Sequence, residues 1–253
     1  MPITEASPNA QIHPAQIRPE VILCCGEDKV ALLDALGELG FPAGAPVSEF
    51  RSYTVWTLPS VTVVLSAIGT GALEPLLYEL LTTGRVERIV LVGTAGRLRA
   101  DGLPLGVAYP IREARVAGTG LDRECGDRAL RPVWPEFPEG PSASIVSSDF
   151  YYGFSPALAP GDYRHRLAGV RGDYERLSVE MDMVDMEVGQ FYALCRLIPD
   201  APGLRFIAIK GAANAIDNHA EQNTHAPSVL RDCLEKALRM LGLEGRFEAL
   251  SHA

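Results

Sequence analysis

The sequence IVLVGTAG, residues 89–96, runs from an apolar segment into small residues and decides the fold class. An earlier segment has the same form, because the apolar run of residues 61–68 leads into GTG at residues 69–71. Runs rich in β-branched residues are typical of strands, and glycine lets the backbone at a strand end approach a ligand closely. Two such strand ends predict backbone amides that face one small anionic or hydroxylated ligand.

Strand and helix patterns alternate on both sides of this stretch. The order β, α, β, α, β is predicted over residues 21–25, 29–39, 61–68, 72–83 and 88–92. It indicates an α/β fold with a mixed, mostly parallel central sheet flanked by helices, and a ligand site at the carboxyl ends of the strands. Further elements are predicted as a strand at 143–147, a helix at 185–196, a strand at 204–210 and a helix at 228–241 capped by Ser228. Residues 131–141 and 155–176 are predicted to be loops.

Composition limits the partners of the chain. Its 253 residues carry a formal net charge of −9, which disfavours nucleic acid because phosphate-backbone binding needs clustered lysine and arginine. No apolar run reaches the roughly 18 residues of a membrane span, and the first residues lack the order of a signal peptide. We therefore expect no membrane partner and a cytoplasmic location. A single domain is expected over residues 21–242, with an N-terminal extension at 1–20 and a C-terminal tail at 243–253.

Familiar cofactor motifs do not occur in the sequence. Glu74 stands where a dinucleotide fingerprint starting at Gly69 would have its third glycine, which makes NAD binding a distant alternative. The sequence has no GxxxxGK[ST] loop, its five histidines are scattered, and its five cysteines form no CxxC pair. We therefore expect no metal, no cofactor and buried free thiols.

Five segments in order resemble the nucleoside phosphorylase and nucleosidase superfamily, which includes purine nucleoside and uridine phosphorylases and methylthioadenosine/adenosylhomocysteine nucleosidases. These segments are PEVILCCG at 19–26, GTG at 69–71 with VERIVLVGTAG at 86–96, SSDFYY at 147–152, VDME at 184–187, and the strand at 206–210 leading to Asn214. The similarity spans about residues 13–241. It implies a nucleoside phosphorylase-like catalytic domain that cleaves the N-glycosidic bond of a nucleoside, preferably with phosphate as co-substrate.

Such a cleavage develops positive charge on the ribose and negative charge on the base, so it needs a carboxylate near the sugar and a donor near the base. By the resemblance, Glu187 grips the ribose hydroxyls, with Asp185 and Met186 beside the sugar. The alternative is that Glu187 is a helix-start acid that only complements the helix dipole. The overlapping segment VEMD, residues 179–182, is a second choice for this motif.

The resemblance also implies a base pocket. Tyr151 and Tyr152 correspond to rings that pack on the base or sugar, although such a pair is also common in cores and interfaces. The substrate-binding set is completed by Thr94, Ala95, Gly96 and His13. The sequence GFSP at 153–156 lacks the Gln and Arg expected of a uridine pocket, which favours purine.

Asn214 stands where many purine-specific members have an aspartate that protonates the base. An amide cannot deliver a proton, but it can donate to a carbonyl oxygen and accept from a ring N–H. This pattern suits a 6-oxopurine, as in the trimeric branch that it resembles. Asp217, three residues later, is the alternative acid.

The acceptor of the ribose remains open at this point. The implied phosphate-binding residues are Gly26, Lys29, Arg51, Gly69 and Thr94. Two arginines of the hexameric phosphorylases are replaced here, by Val30 and Leu91.

A hydrolytic nucleosidase is therefore an alternative, with Glu27 or Asp28 activating water. A nucleoside-binding protein without activity is another. Arg51 and His13 resemble residues that the hexameric enzymes lend to a neighbouring subunit, which implies a homo-oligomer (dimer, trimer or hexamer) with active sites near its interfaces. Taken alone, such residues are more often solvated or structural.

Overall fold

The computed structural model describes residues 11–50, 52–155, 171–198 and 203–243. Within these ranges one sheet holds nine strands. They are β1 Glu20–Cys25, β2 Ser48–Phe50, β3 Tyr53–Thr57, β4 Thr62–Ser66, β5 Arg88–Arg97, β6 Ala108–Val116, β7 Ala143–Ser147, β8 Met183–Asp185 and β9 Arg205–Ala215. The helices are α1 Lys29–Glu38, α2 Thr70–Thr82, α3 Asp122–Cys125, α4 Arg171–Glu180, α5 Val188–Leu197 and α6 Gln222–Met240.

The sheet is mixed and parallel at its centre, as the sequence predicts. Its order is β2-β3-β4-β1-β5-β8-β7-β6-β9, and β9 also pairs with β5, so the last five strands close into a ring. β1 is parallel to β4 and β5, and β5 is parallel to β9. The carboxyl ends of these central strands therefore meet on one edge of the sheet.

Both faces of the sheet are buried beneath helices. Alternate residues of β1 face opposite sides, so Val21 and Leu23 pack with α2 and α5, whereas Ile22 and Cys24 pack with α1 and α6. This two-sided burial explains why the central strands read as continuous apolar runs. The five cysteines are free and buried, as expected. No helix among the described residues is long and apolar enough to cross a membrane.

β5 and β9 are longer than the sequence patterns predict. Their pairing runs from Arg88 opposite Arg205 to Arg97 opposite Ala215, and it includes the small residues after position 92. The register shifts between Ala95 and Gly96, where β9 contains one extra residue, so that Gly96 lies opposite Asn214. Such a bulge re-aims side chains at the end of a strand.

Two helix predictions and one loop prediction need correction. The final helix begins at Gln222, so Ser228 lies inside it and donates to the His225 carbonyl instead of capping the helix. The predicted helix over residues 185–196 begins at Val188 and follows the short strand β8. Part of the predicted loop at 155–176 belongs to α4, which begins at Arg171; its residues 156–170 lie outside the described ranges.

Candidate active site

A cleft of about 390 Å³ opens at the carboxyl ends of β1, β5, β8 and β9. It lies where the parallel strand order predicts a ligand site. The residues predicted from the sequence that line it are Gly26, Glu27, Thr94, Ala95, Tyr151, Tyr152, Asp185, Met186, Glu187 and Asn214. The cleft therefore brings together segments that are up to about 190 residues apart in the sequence.

A buried lysine under the cleft joins its two deepest carboxylates. Lys210 Nζ lies 3.1 Å from Asp185 Oδ2 and 3.1 Å from Glu187 Oε2, and it donates to the Thr94 carbonyl at 3.4 Å. Burial lowers the pKa of Lys210, but the charges of Glu187 and Asp185 outweigh this and raise it well above its ordinary value. The ammonium therefore stays charged and holds both carboxylates in place.

Asp185 and Glu187 have different tasks at the start of α5. Asp185 Oδ2 accepts the Val188 N–H at 3.1 Å, which satisfies an amide of the first helical turn. Glu187 makes no such capping bond, and its carboxylate lines the cleft. Burial raises the pKa of Glu187 to about 7, against the opposing effect of Lys210. The helix-start alternative therefore describes Asp185 better than Glu187.

A third carboxylate binds the end of β5. Glu27 Oε1 accepts hydrogen bonds from the Thr94 amide and from Thr94 Oγ1, the latter at 2.8 Å. Gly93 makes room for this contact, since a Cβ there would lie 3.0 Å from Glu27 Oε1 and 3.2 Å from Lys210 Nζ. The donors of this strand end are therefore directed at a carboxylate of the chain itself.

A fourth carboxylate binds the start of α2. Asp149 Oδ1 accepts the Thr70 N–H at 3.2 Å, and Asp149 Oδ2 accepts Thr70 Oγ1 at 3.0 Å. Gly69 has a φ of +85° and does not line the cleft. Asp149 thus acts as a cap for α2, supplied from a distant part of the sequence.

Asn214 and Tyr151 also line the cleft. Asn214 is buried, donates from Nδ2 to the Ala215 carbonyl at 2.7 Å, and is hydrogen-bonded to the Tyr151 phenol. Burial raises the pKa of Tyr151 to about 12, although the bond to Asn214 opposes this. Gly96 allows the close approach of Tyr151, because a Cβ at position 96 would lie 2.5 Å from the phenolic oxygen.

No protein-family model and no curated protein sequence matches this chain. Solved structures do match it. The purine nucleoside phosphorylase of Toxoplasma gondii, in complex with immucillin-H, has a TM-score of 0.66 at 18% identity, covering 93% of this chain and 98% of that one. The methylthioadenosine/adenosylhomocysteine nucleosidase of Colwellia psychrerythraea has a TM-score of 0.63 at 16% identity, covering 89% and 96%. The chain has the nucleoside phosphorylase fold.

The futalosine hydrolase of Helicobacter pylori has this nucleoside phosphorylase fold as well, with a TM-score of 0.59 at 11% identity over 88% of this chain and 97% of that one. The fold predicted from the order of strands and helices is therefore confirmed over almost the whole chain. The members of the fold with which the chain aligns include both phosphorylases and hydrolases.

Some predicted residues lie away from the cleft of this nucleoside phosphorylase-like chain. Lys29 forms an ion pair with Glu49 at 2.7 Å. His13 Nδ1 accepts the Ala15 N–H in a short 3-10 turn, and Asp217 is exposed and does not line the cleft. Arg51 falls outside the described residues.

For two motifs the sequence leaves alternatives open, and in each case only one alternative lines the cleft. Asp28 caps α1 through a 2.9 Å bond from the Ala31 N–H, so of the two acids after Gly26 only Glu27 faces the cleft. Asp182, at the end of the second-choice segment 179–182, instead accepts from Arg99, Arg112 and Ser144. The segment that ends at Glu187 is therefore the one in the site.

Lys210 is the site residue that sequence reasoning missed. Its signal is visible, because it follows the apolar residues FIAI at 206–209 within a strand that the pattern predicts to be buried. A lysine in such a position requires a buried carboxylate partner. The segment around Asp185 is a natural candidate for this partner.

Proposed function

We propose that this chain is a nucleosidase that cleaves the N-glycosidic bond of a purine nucleoside with water as the acceptor. The observation that carries the proposal is the contact of Glu27 with both donors of Thr94. In a phosphorylase these strand-end donors would face phosphate. A phosphate placed there would have to displace the carboxylate or lie against it, and like charges in close contact repel. A water molecule has no such conflict.

The charge of the cleft supports this choice. Among the residues that the structure describes, the cleft lining contains the carboxylates of Glu27, Asp149, Asp185 and Glu187 and no lysine or arginine. The positions of the two missing arginines are an exposed Val30 and a buried Leu91. This arrangement favours hydrolysis over phosphorolysis, although the family resemblance of the sequence favours phosphorolysis.

The proposed mechanism assigns one task to each of two carboxylates in the cleft. Glu187, fixed by Lys210, binds the ribose hydroxyls and stabilises positive charge on the sugar as the bond to the base breaks. Glu27 accepts a proton from the attacking water. Glu27 follows β1 and Glu187 follows β8, and both strands pair with β5, so the sheet fixes the separation of the two carboxylates.

Purine is the proposed base because of the chemistry of Asn214. Its orientation leaves the amide oxygen as an acceptor, which suits an N–H of a 6-oxopurine. The fold itself is compatible with both reactions. The Colwellia psychrerythraea nucleosidase and the Helicobacter pylori futalosine hydrolase share it, and so does the Toxoplasma gondii phosphorylase.

The test is a release assay with inosine, guanosine, adenosine, methylthioadenosine and uridine, each with and without phosphate. Chromatography measures the free base and identifies the sugar as ribose or ribose 1-phosphate. We expect base release from a purine nucleoside at the same rate in both conditions, with ribose as the product even when phosphate is present.

Release that requires phosphate and yields ribose 1-phosphate would overturn hydrolysis and restore the phosphorylase assignment. Nucleoside binding without any release would identify a binding protein that has lost the reaction. The two results contradict different parts of the proposal. The first contradicts water as the acceptor of the ribose, and the second contradicts cleavage of the N-glycosidic bond.

A further inference from the structure

Cleavage of the bond to the base requires a hydrogen-bond donor near the base. Asn214 is an amide and not an acid, so it does not fill this role alone. A purine that departs from C1′ takes the electron pair of the broken bond and gains negative charge, which a positioned donor stabilises. Asn214 cannot deliver a proton, and Asp217 is exposed outside the lining of the cleft. The donor must therefore be sought in another residue of the same wall.

The hydrogen bonds of Asn214 fix the orientation of its amide. The Ala215 carbonyl can only accept, so the group that faces it at 2.7 Å must be Nδ2. The side-chain hydrogen bond between Asn214 and Tyr151 lowers the pKa of the phenol, against the effect of burial. Asn214 therefore lies against the phenolic group, and because its Nδ2 faces the Ala215 carbonyl its own oxygen remains an acceptor.

The backbone around Asn214 is shaped to admit the phenolic oxygen. The bulge in β9 places Asn214 opposite Gly96, and the absence of a side chain at Gly96 leaves the space that the Tyr151 hydroxyl occupies. The neighbouring ring of Tyr152 packs edge-on against Tyr151, with centroids 5.9 Å apart and planes at 84°. The shortest contact of a Cβ at position 96 would be with the phenolic oxygen at 2.5 Å, whereas the ring carbon Cζ of Tyr151 would lie at 3.4 Å.

We propose that the Tyr151 hydroxyl is the hydrogen-bond donor to the departing base, and that Asn214 is its positioning residue. The inference rests on the proposed nucleoside cleavage. The bond from C1′ to the base breaks, its electron pair moves onto the base, and water forms the new bond to C1′ while its proton passes to Glu27. Tyr151 keeps its proton throughout, and the base anion takes up the proton released from Glu27 through solvent water. The high pKa of Tyr151 is consistent with a phenol that stays protonated.

The experiment compares Tyr151→Phe with Tyr78→Phe, which removes a phenolic hydroxyl from an exposed ring of α2 outside the lining of the cleft. Each variant is assayed with inosine and with 7-methylinosine, whose base departs without negative charge and needs no donor. We expect Tyr151→Phe to lower kcat for inosine about 10²-fold with little change in KM, as for loss of one donor that acts on developing charge. For 7-methylinosine the loss should shrink to about twofold or less, and Tyr78→Phe should resemble wild type with both substrates.

An equal loss on both substrates would overturn the proposal, because it would indicate a structural role for the hydroxyl. An unchanged rate on inosine would overturn it as well. If the wild-type protein cleaves no nucleoside, the proposed function fails, and calorimetric binding of hypoxanthine still decides the role of Tyr151. Binding about tenfold weaker in Tyr151→Phe than in Tyr78→Phe would support the donor, whereas equal binding would refute it.

Discussion

Two glycine-rich strand ends of this chain look alike in sequence and differ in what they do. At the first, Thr70 presents its amide and hydroxyl to Asp149; at the second, Thr94 presents the same two groups to Glu27. Thr70 begins the 13-residue helix α2, so Asp149 completes the hydrogen bonds of a helix terminus. Thr94 lies within the strand β5, so the amide that holds Glu27 belongs to no helix end.

In the proposed function, a carboxylate bound by a threonine is a structural cap in one setting and a reactive group in the other. Asp149 satisfies an amide that would otherwise lack a partner, so its contribution is to stability. Glu27 lines the cleft with Glu187, above the buried Lys210, so its proposed contribution is to chemistry. Substitutions at the two acids should therefore affect different measurements.

The largest expected effect is on the rate. Glu27→Gln should lower kcat for the preferred nucleoside about 10²- to 10⁴-fold, because an amide cannot accept the proton of water. The matched substitution Asp149→Asn should retain most of the activity, since an amide oxygen can still cap α2. Steady-state kinetics on both variants makes the comparison. Similar losses in the two would show that the strand ends are equivalent and would remove Glu27 from its proposed role.

The next effect is a pH dependence of stability at the Thr94 end. Burial raises the pKa of Glu187 from 4.5 to about 7, so between these values the folded protein binds more protons than the unfolded chain. Its stability contribution is therefore present below pH about 4.5 and is lost as the pH rises through 7. We expect the free energy of unfolding of wild type to fall on the order of 1–3 kcal/mol relative to Glu187→Gln over this range.

Urea unfolding at several pH values checks this prediction, with Asp149→Asn as a control for loss of a carboxylate near the cleft. A constant difference between wild type and Glu187→Gln from pH 4.5 to 7.5 would contradict it, because the titration of Glu187 would then be the same in the folded and unfolded states.

The smallest effect is the stability of the helix caps. Asp149→Ala should lower the free energy of unfolding by about 1 kcal/mol, with a shift in Tm of a few degrees. Asp28→Ala is the matched control, because Asp28 caps α1 in the same way but lies away from the cleft lining. Calorimetry should give similar losses for the two variants. A much larger loss in Asp149→Ala would mean that Asp149 does more than cap α2.

The sequence predicts the α/β fold well because its central strands are buried on both faces and its strand ends carry glycine. It predicts β6 and the three-residue strands poorly. Residues 108–116 mix apolar and charged side chains, because the first four residues of β6 are buried whereas its second half also has exposed and half-buried positions. The start of α6 was also missed, since Pro227 within the segment reads as a helix boundary.

For the site, sequence reasoning finds residues but not their contacts. It leaves Glu27 and Asp28 as equal candidates, because only the turn after β1 decides which acid faces the cleft and which caps α1. It places Lys29 with phosphate, although in the folded chain Glu49 on β2 neutralises it. It also cannot predict the contact between Tyr151 and Asn214, because this contact depends on the bulge in β9 and on the absence of a side chain at Gly96.

Lys210 and Asn214 belong to one continuous strand, β9, only four positions apart. At about 3.3 Å per residue, this strand spans roughly 13 Å between Lys210 and Asn214, which in the proposed function anchor the sugar and the base. β9 therefore fixes the spacing of Lys210 and Asn214, and its pairing with β5 and β6 on either side keeps the strand rigid. If the proposed function holds, substitutions at Asn214 and Tyr151 would change the leaving groups that the protein accepts without moving the residues that bind the sugar. A sugar of another size would instead require a different spacing along β9.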